Sequence, residues 1–144
     1  MKPVGLYLHI PFCNGKCPYC DFYSVNPEET KVSSYVDALC REIDKAGGIY
    51  NTVYFGGGTP SLIGSDNIAK IMSHINRTPD CEATLECNPS DTGAENSAFD
   101  FSVVAKAGVN RISMGLQSAD DCERKILGRR GGCENIERAI ARAK

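Results

Sequence analysis

Short strand-like runs alternate with longer runs of helical period along the whole chain, and this alternation restricts the fold more than any other feature. The strand-like runs are Gly5–Ile10, Thr52–Phe55, Ala83–Glu86 and Arg111–Gly115. Between them, Val32, Tyr35, Val36, Leu39 and Ile43 recur at helical spacing, and Gly47-Gly48 ends that helix. Ile68, Ile71, Met72 and Ile75 mark a second helix, with Ser65 and Asp66 as N-cap candidates. A third covers about Phe99 to Ala107 and closes at Gly108; two more run near Asp120 to Leu127 and from Glu134 onward. Four consecutive βα units predict an α/β fold, a parallel sheet with helical crossovers, in one domain over residues 1–144. A closed barrel of eight such units takes roughly 250 residues. The expectation is therefore a partial barrel, the N-terminal part of a longer protein; the alternative is a small open α/β sheet.

Composition narrows the function classes. Hydrophobic residues make up 42% and charged residues 24% of the 144 residues, which excludes a disordered chain. A net charge of −2 without a basic run argues against nucleic acid as a partner. No apolar stretch is long enough to span a bilayer. Met1–Ile10 lacks an apolar segment and cleavage site of the secretory kind, so the expected location is the cytoplasm. Eight cysteines in such a chain suggest metal or redox chemistry rather than disulfides. Five of them, Cys40, Cys81, Cys87, Cys122 and Cys133, are scattered and read as small hydrophobes.

The other three form Cys13-Asn-Gly-Lys-Cys17-Pro-Tyr-Cys20, directly after the first strand. Thiolates are the standard ligands of iron–sulfur clusters. Three on a four-iron cube leave one iron open for a ligand, much as catalytic zinc keeps an open position. Gly15 and Pro18 suit a tight wrap. A zinc site is the other ligand set this spacing permits, and it would need a fourth donor. His9 is near, but its alternation with Leu6 and Leu8 suggests a core or pocket-facing role instead.

Tyr7-Leu-His-Ile-Pro-Phe-Cys13 leading into the cysteine loop resembles the radical SAM superfamily, and more narrowly the oxygen-independent coproporphyrinogen III oxidase family, which includes bacterial heme chaperones. Four further stretches agree in order: Phe55-Gly-Gly-Gly-Thr-Pro60, Leu85-Glu-Cys-Asn-Pro89, Gly108 to Gln117, and Leu127-Gly-Arg129. The resemblance implies a [4Fe-4S] cluster on Cys13, Cys17 and Cys20, with S-adenosylmethionine chelating the open iron. One electron from the reduced cluster then cleaves the carbon–sulfur bond, giving methionine and a 5′-deoxyadenosyl radical. The electron would come from a donor such as flavodoxin or ferredoxin.

The resemblance also implies the ligand contacts. Gly57, Gly58 and Thr59 match the stretch that takes the amino end of S-adenosylmethionine. Glu86, Gln117 and Arg129 match positions that contact the same ligand, as do Tyr7 and Tyr19. Physically, a strand-end carboxylate suits ribose hydroxyls or an ammonium, an amide suits a ribose, and an arginine suits a carboxylate. Core packing of the two tyrosines, a plain turn at the glycines, and Arg130 in place of Arg129 are the alternatives.

Within the family, two classes of function follow. One is a heme chaperone that passes heme to an acceptor protein; the other is an enzyme of porphyrin biosynthesis that decarboxylates coproporphyrinogen III to protoporphyrinogen IX. The oxidase branch carries a fourth cysteine where this chain has Phe22, and a longer segment before the first strand, where this chain has Met1 to Val4. Both departures favour the chaperone. Two others bear on the site: the stretch from Glu86 to Gln117 is a few residues longer than usual, near Gly93 to Phe99, and Arg129-Arg-Gly-Gly132 replaces a segment that more often holds a histidine. The heme-binding residues would lie beyond Lys144.

Overall fold

The structure is a computed structural model that describes residues 2–144. The described residues form one four-stranded parallel sheet in the order β1-β2-β3-β4, with β1 Val4–Ile10, β2 Tyr50–Gly57, β3 Arg77–Cys87 and β4 Arg111–Met114. The connections are α1 Glu29–Ala46, α2 Ser65–Ser73, the short α3 Pro89–Thr92 and α4 Phe101–Lys106; α5 Asp121–Ile126 and α6 Cys133–Ala143 follow β4. The expected α/β partial barrel of four βα units is what forms. No helix among the described residues is long and apolar enough to cross a membrane.

One face of the sheet is dry. Leu8, Ile10, Val53, Phe55, Ala83 and Leu85 point into it, met by Val36, Cys40 and Ile43 of α1, Ile68, Ile71 and Met72 of α2, and Val104 of α4. Strand alternation sends Tyr7, His9, Tyr54 and Glu86 to the other face, which no helix covers. Buried apolar area on the first face drives the fold; the second face is left for chemistry.

Element boundaries departed from expectation for local reasons. Ser65 and Asp66 do not cap α2. Gly64 does, because leaving the 3-10 turn Pro60–Ile63 requires φ of 86°, which glycine tolerates. The Ser65 hydroxyl, freed from capping, accepts a 2.7 Å bond from the Asp100 amide. β3 starts six residues before Ala83: Arg77 pairs with Tyr50, and a register irregularity separates it from the Thr52–Glu82 pair. Pro79 is tolerated in this polar start because the ladder is interrupted there.

α3 was not anticipated, although Asn88 at the N-cap and Pro89 at the first helical position are its standard start signals. The lengthened stretch near Gly93 to Phe99 is irregular chain, and α4 begins later than expected, capped by Asp100. α6 holds that stretch. Arg138 donates to the Gly93 carbonyl at 2.8 Å, and Arg142 donates to those of Thr92 and Phe99 at 2.6 Å each.

Candidate functional site

The loops at the C-terminal ends of the strands enclose a cleft of about 420 Å³, the place where parallel α/β sheets bind ligands. The loop after β1 carries the cysteines. An isolated parallel bridge between Phe12 and Val25 closes its base, with Cys13 N donating to Val25 O at 2.9 Å and Val25 N to Pro11 O at 2.7 Å. Inside the loop, Cys20 N donates to Cys17 O at 3.0 Å. Cys13, Cys17 and Cys20 are partly exposed free thiols, and all three line the cleft.

The turn after β2 is laced to that loop. Gly58 N donates to Ile10 O at 2.8 Å and Thr59 N to Phe12 O at 2.7 Å. The fit needs glycine: a Cβ on Gly58 would stand 2.5 Å from Phe12 O, and Gly57 has φ of 117° with the His9 ring 2.7 Å from where its Cβ would be. The Thr59 hydroxyl points at Cys13 Sγ, 3.7 Å away. Gly57, Gly58 and Thr59 all line the cleft, the two glycines with no side chain over their backbone.

From β3 comes Glu86, whose Oε1 accepts a 2.7 Å bond from the Tyr54 hydroxyl. From beyond α5 comes Arg129. Its Nη2 donates to Gly115 O at 2.8 Å and Asn88 Oδ1 at 3.1 Å; Nη1 lies 3.5 Å from the Tyr19 hydroxyl and 3.8 Å from Cys17 Sγ. Its Nε is buried without a partner among the described residues. Arg130 is exposed at the rim, and its carbonyl accepts from the Ser90 hydroxyl. The geometry separates the two arginines: Arg129 is the one aimed at the thiols. Tyr19 lines the cleft beside it, its phenol pushed up by burial and by the hydrogen bond with Cys17.

Gln117 lines the cleft as expected but does not end β4. That strand stops at Met114, and Gln117 sits three residues on at φ of 67°, the one non-glycine residue of positive φ among those described. Tyr7 is not part of the cleft lining; it stacks on Tyr54 over the uncovered face. His9 is not a thiol-loop ligand either. Its Nε2 lies 3.3 Å from the Tyr23 carbonyl, and its Nδ1 lies 3.3 Å from the Tyr7 hydroxyl. A carbonyl only accepts, so in the neutral ring Nε2 carries the proton.

Among the scattered cysteines, Cys40, Cys81 and Cys87 are buried as expected, whereas Cys122 is exposed and Cys133 partly so. Burial pushes the Cys87 thiol up to about 12.

Arg124 was missed by sequence reasoning. It is 1% exposed, and its guanidinium donates to Leu116 O and to Gly131 O, tying the loop that carries Gln117 to the loop that carries Arg129. Nothing in the sequence marked it, because an arginine in a short polar helix reads as a surface residue. Asn88 was also missed as a site residue: it caps α3 and accepts from Arg129 with the same oxygen. Its place after Glu86 was the available signal.

The model of the radical SAM superfamily matches residues 7–144. The chain belongs to that superfamily. It is 38% identical over 149 residues to the heme chaperone HemW of Escherichia coli, covering 96% of this chain and 38% of that protein. It is 36% identical to the mouse mitochondrial radical S-adenosyl methionine domain-containing protein 1, over 98% of this chain and 33% of that one. The solved structure of coproporphyrinogen III oxidase (HemN) from Escherichia coli, a radical SAM enzyme, superposes with a TM-score of 0.81 at 26% identity, covering 98% of this chain and 34% of that chain. The chain therefore spans about a third of the length of these relatives. Membership implies an iron–sulfur cluster and S-adenosylmethionine as the cofactors.

The residues present fit both groups. Three free thiols share one cleft, glycines leave backbone bare beside them, and a buried guanidinium nitrogen waits for an acceptor. No three Cys, His, Asp or Glu side chains among the described residues close around a single ion.

Proposed function

We propose that this chain is the S-adenosylmethionine-binding core of a heme chaperone-like radical SAM protein, with a [4Fe-4S] cluster on Cys13, Cys17 and Cys20. The observation that carries the reading is the convergence of the three-thiol loop, the Gly57–Thr59 turn and Arg129 on one cleft at the strand ends. When bound, the cluster supplies the electron that cleaves S-adenosylmethionine, the hard chemistry that cofactors carry.

The chain's own residues position and enclose the ligand. Gly57, Gly58 and Thr59 offer backbone groups to its amino end. Arg129, its Nη2 held by Gly115 O and Asn88 Oδ1, meets the acid end with its remaining guanidinium donors. Glu86 accepts from a ribose hydroxyl or the ammonium, and Gln117 offers both donor and acceptor to the ribose. Tyr19 shields the thiols from water. Heme, a heme-acceptor protein and an electron donor such as flavodoxin or ferredoxin complete the reading, in a reducing cytoplasm where an oxygen-sensitive cluster survives.

The test is anaerobic reconstitution with iron and sulfide. A brown protein whose chromophore is lost in Cys17→Ala supports the cluster; a colourless protein holding one tight zinc would sink it. The second reading, oxidation of coproporphyrinogen III, is favoured by the similarity to HemN. Against it stands Phe22, 64% exposed at the cleft where that branch has a cysteine. Heme titration decides: no heme binding, with turnover of coproporphyrinogen III, would reverse the preference.

A further inference from the structure

The aromatic residues of the uncovered sheet face have no part in the reading above, yet they lead to the cleft. Strand register sets Tyr7 of β1 opposite Tyr54 of β2. Their rings stack at 6.1 Å with an interplanar angle of 22°. They close over Gly56, where a Cβ would meet both rings at 3.0 Å. From this braced position the Tyr54 hydroxyl donates to Glu86 Oε1 at 2.7 Å. The hydrogen bond to Glu86, then burial, hold the Tyr54 phenol above its ordinary range, so it remains a donor at every physiological pH. Tyr7 is braced in turn, since its hydroxyl pairs with His9 and His9 reaches the Tyr23 carbonyl of the cysteine loop.

We propose that Tyr54, backed by the Tyr7 ring, is a positioning residue that fixes one oxygen of Glu86 and leaves the other for the ribose hydroxyls or ammonium of S-adenosylmethionine. This rests on the assignment of Glu86 as a ligand contact. An unrestrained glutamate loses side-chain freedom when it binds, and one already held by a phenol has little left to lose. It also gives Tyr7 a role that its position outside the cleft lining would otherwise leave unexplained.

The experiment measures S-adenosylmethionine affinity of the anaerobically reconstituted protein by equilibrium dialysis. Tyr54→Phe keeps the ring and its stack. It should weaken binding about tenfold, the size of one lost hydrogen bond to a charged group, with the cluster absorbance and thermal midpoint unchanged. In a Glu86→Ala background the same substitution should cost nothing further, which a merely structural role for the ring would not produce. Tyr7→Leu should show a smaller loss with the same dependence on Glu86. Unchanged affinity in Tyr54→Phe, beside a clear loss in Glu86→Ala, overturns the proposal alone. An equal loss from Tyr54→Phe with and without Glu86 also overturns it. Parental affinity in Glu86→Ala overturns the assignment of Glu86 itself, and the proposal with it.

Discussion

Arg124 shows how much one side chain can decide. It is buried in a six-residue helix and spends its guanidinium on two backbone carbonyls, Leu116 and Gly131, from the loops that deliver Gln117 and Arg129. Arg124→Ala would take the side-chain partner from the Gly131 carbonyl, leave Leu116 O with only the Ser118 amide, and open a void. We expect it to cost about 2–4 kcal/mol in urea unfolding, from unmet polar groups plus the cavity. Arg124→Lys should recover only part of that, because an ammonium lacks the planar fork that spans two acceptors. Gly58 is as unforgiving. Gly58→Ala pushes a methyl into the Phe12 carbonyl, so a lower thermal midpoint and a loosened cysteine loop are expected. The cysteines sort by environment. In the protein without cluster, iodoacetamide at pH 8 should label Cys13, Cys17 and Cys20 and spare Cys40, Cys81 and Cys87, read by peptide mass mapping. The Cys87 thiol is held up to about 12 in the folded state, against an ordinary 9. Its contribution to stability is therefore present below pH 9 and fades as pH rises toward 12.

At the scale of elements, the short helices depend on their caps. The Asp120 carboxylate accepts from Cys122 N at 2.8 Å and Glu123 N at 3.0 Å, and without it a six-residue helix has little to hold it. Asp120→Ala should cost about 1 kcal/mol, measured by chemical denaturation, and should loosen Arg124 one turn on. Asp100 caps α4 through the Ser102 amide, and hydrogen bonding from the Ser102 hydroxyl first, then from that amide, holds its carboxyl below the ordinary 3.8. A depressed carboxyl stabilises the fold above its unfolded value and stops doing so as pH falls through its folded one. Acid titration below pH 3.8 should therefore erode α4 in circular dichroism, and Asp100→Asn should flatten that dependence. Caps at Asp100 and Asp120 are local devices and can be read from the chain. The boundary at Gly64 and the early start of β3 at Arg77 could not be read, since a preceding 3-10 turn and a distant partner strand set them.

For the molecule as a whole, the parallel sheet divides labour between its faces. Helices α1, α2 and α4 bury one face, and the other carries Tyr7, His9, Tyr54 and Glu86 toward the strand ends. Every loop of the candidate site leaves the same edge of the sheet, so residues as distant as Cys17 and Arg129 meet within 3.8 Å. The three-thiol loop, the glycine turn and Arg129 therefore depend on one core. A core-loosening change such as Phe55→Ala should cost about 3–5 kcal/mol and should lose the reconstituted chromophore along with stability, although Phe55 touches no thiol.

The sequence by itself determined the βα alternation, the three-thiol loop and the superfamily, because hydrophobic period, glycine demands and ligand spacing are properties of neighbouring residues. It also placed Cys13, Cys17, Cys20, Gly57, Gly58, Thr59 and Glu86 at strand ends or in the loops that follow. Only the tertiary structure turned Arg129 rather than Arg130 toward the thiols, stacked Tyr7 on Tyr54, and buried Arg124 between two loops. Those choices depend on which groups meet across the sheet after folding, and such meetings carry no local signal: a hydrogen bond from Arg129 to Asn88 spans 41 positions of chain.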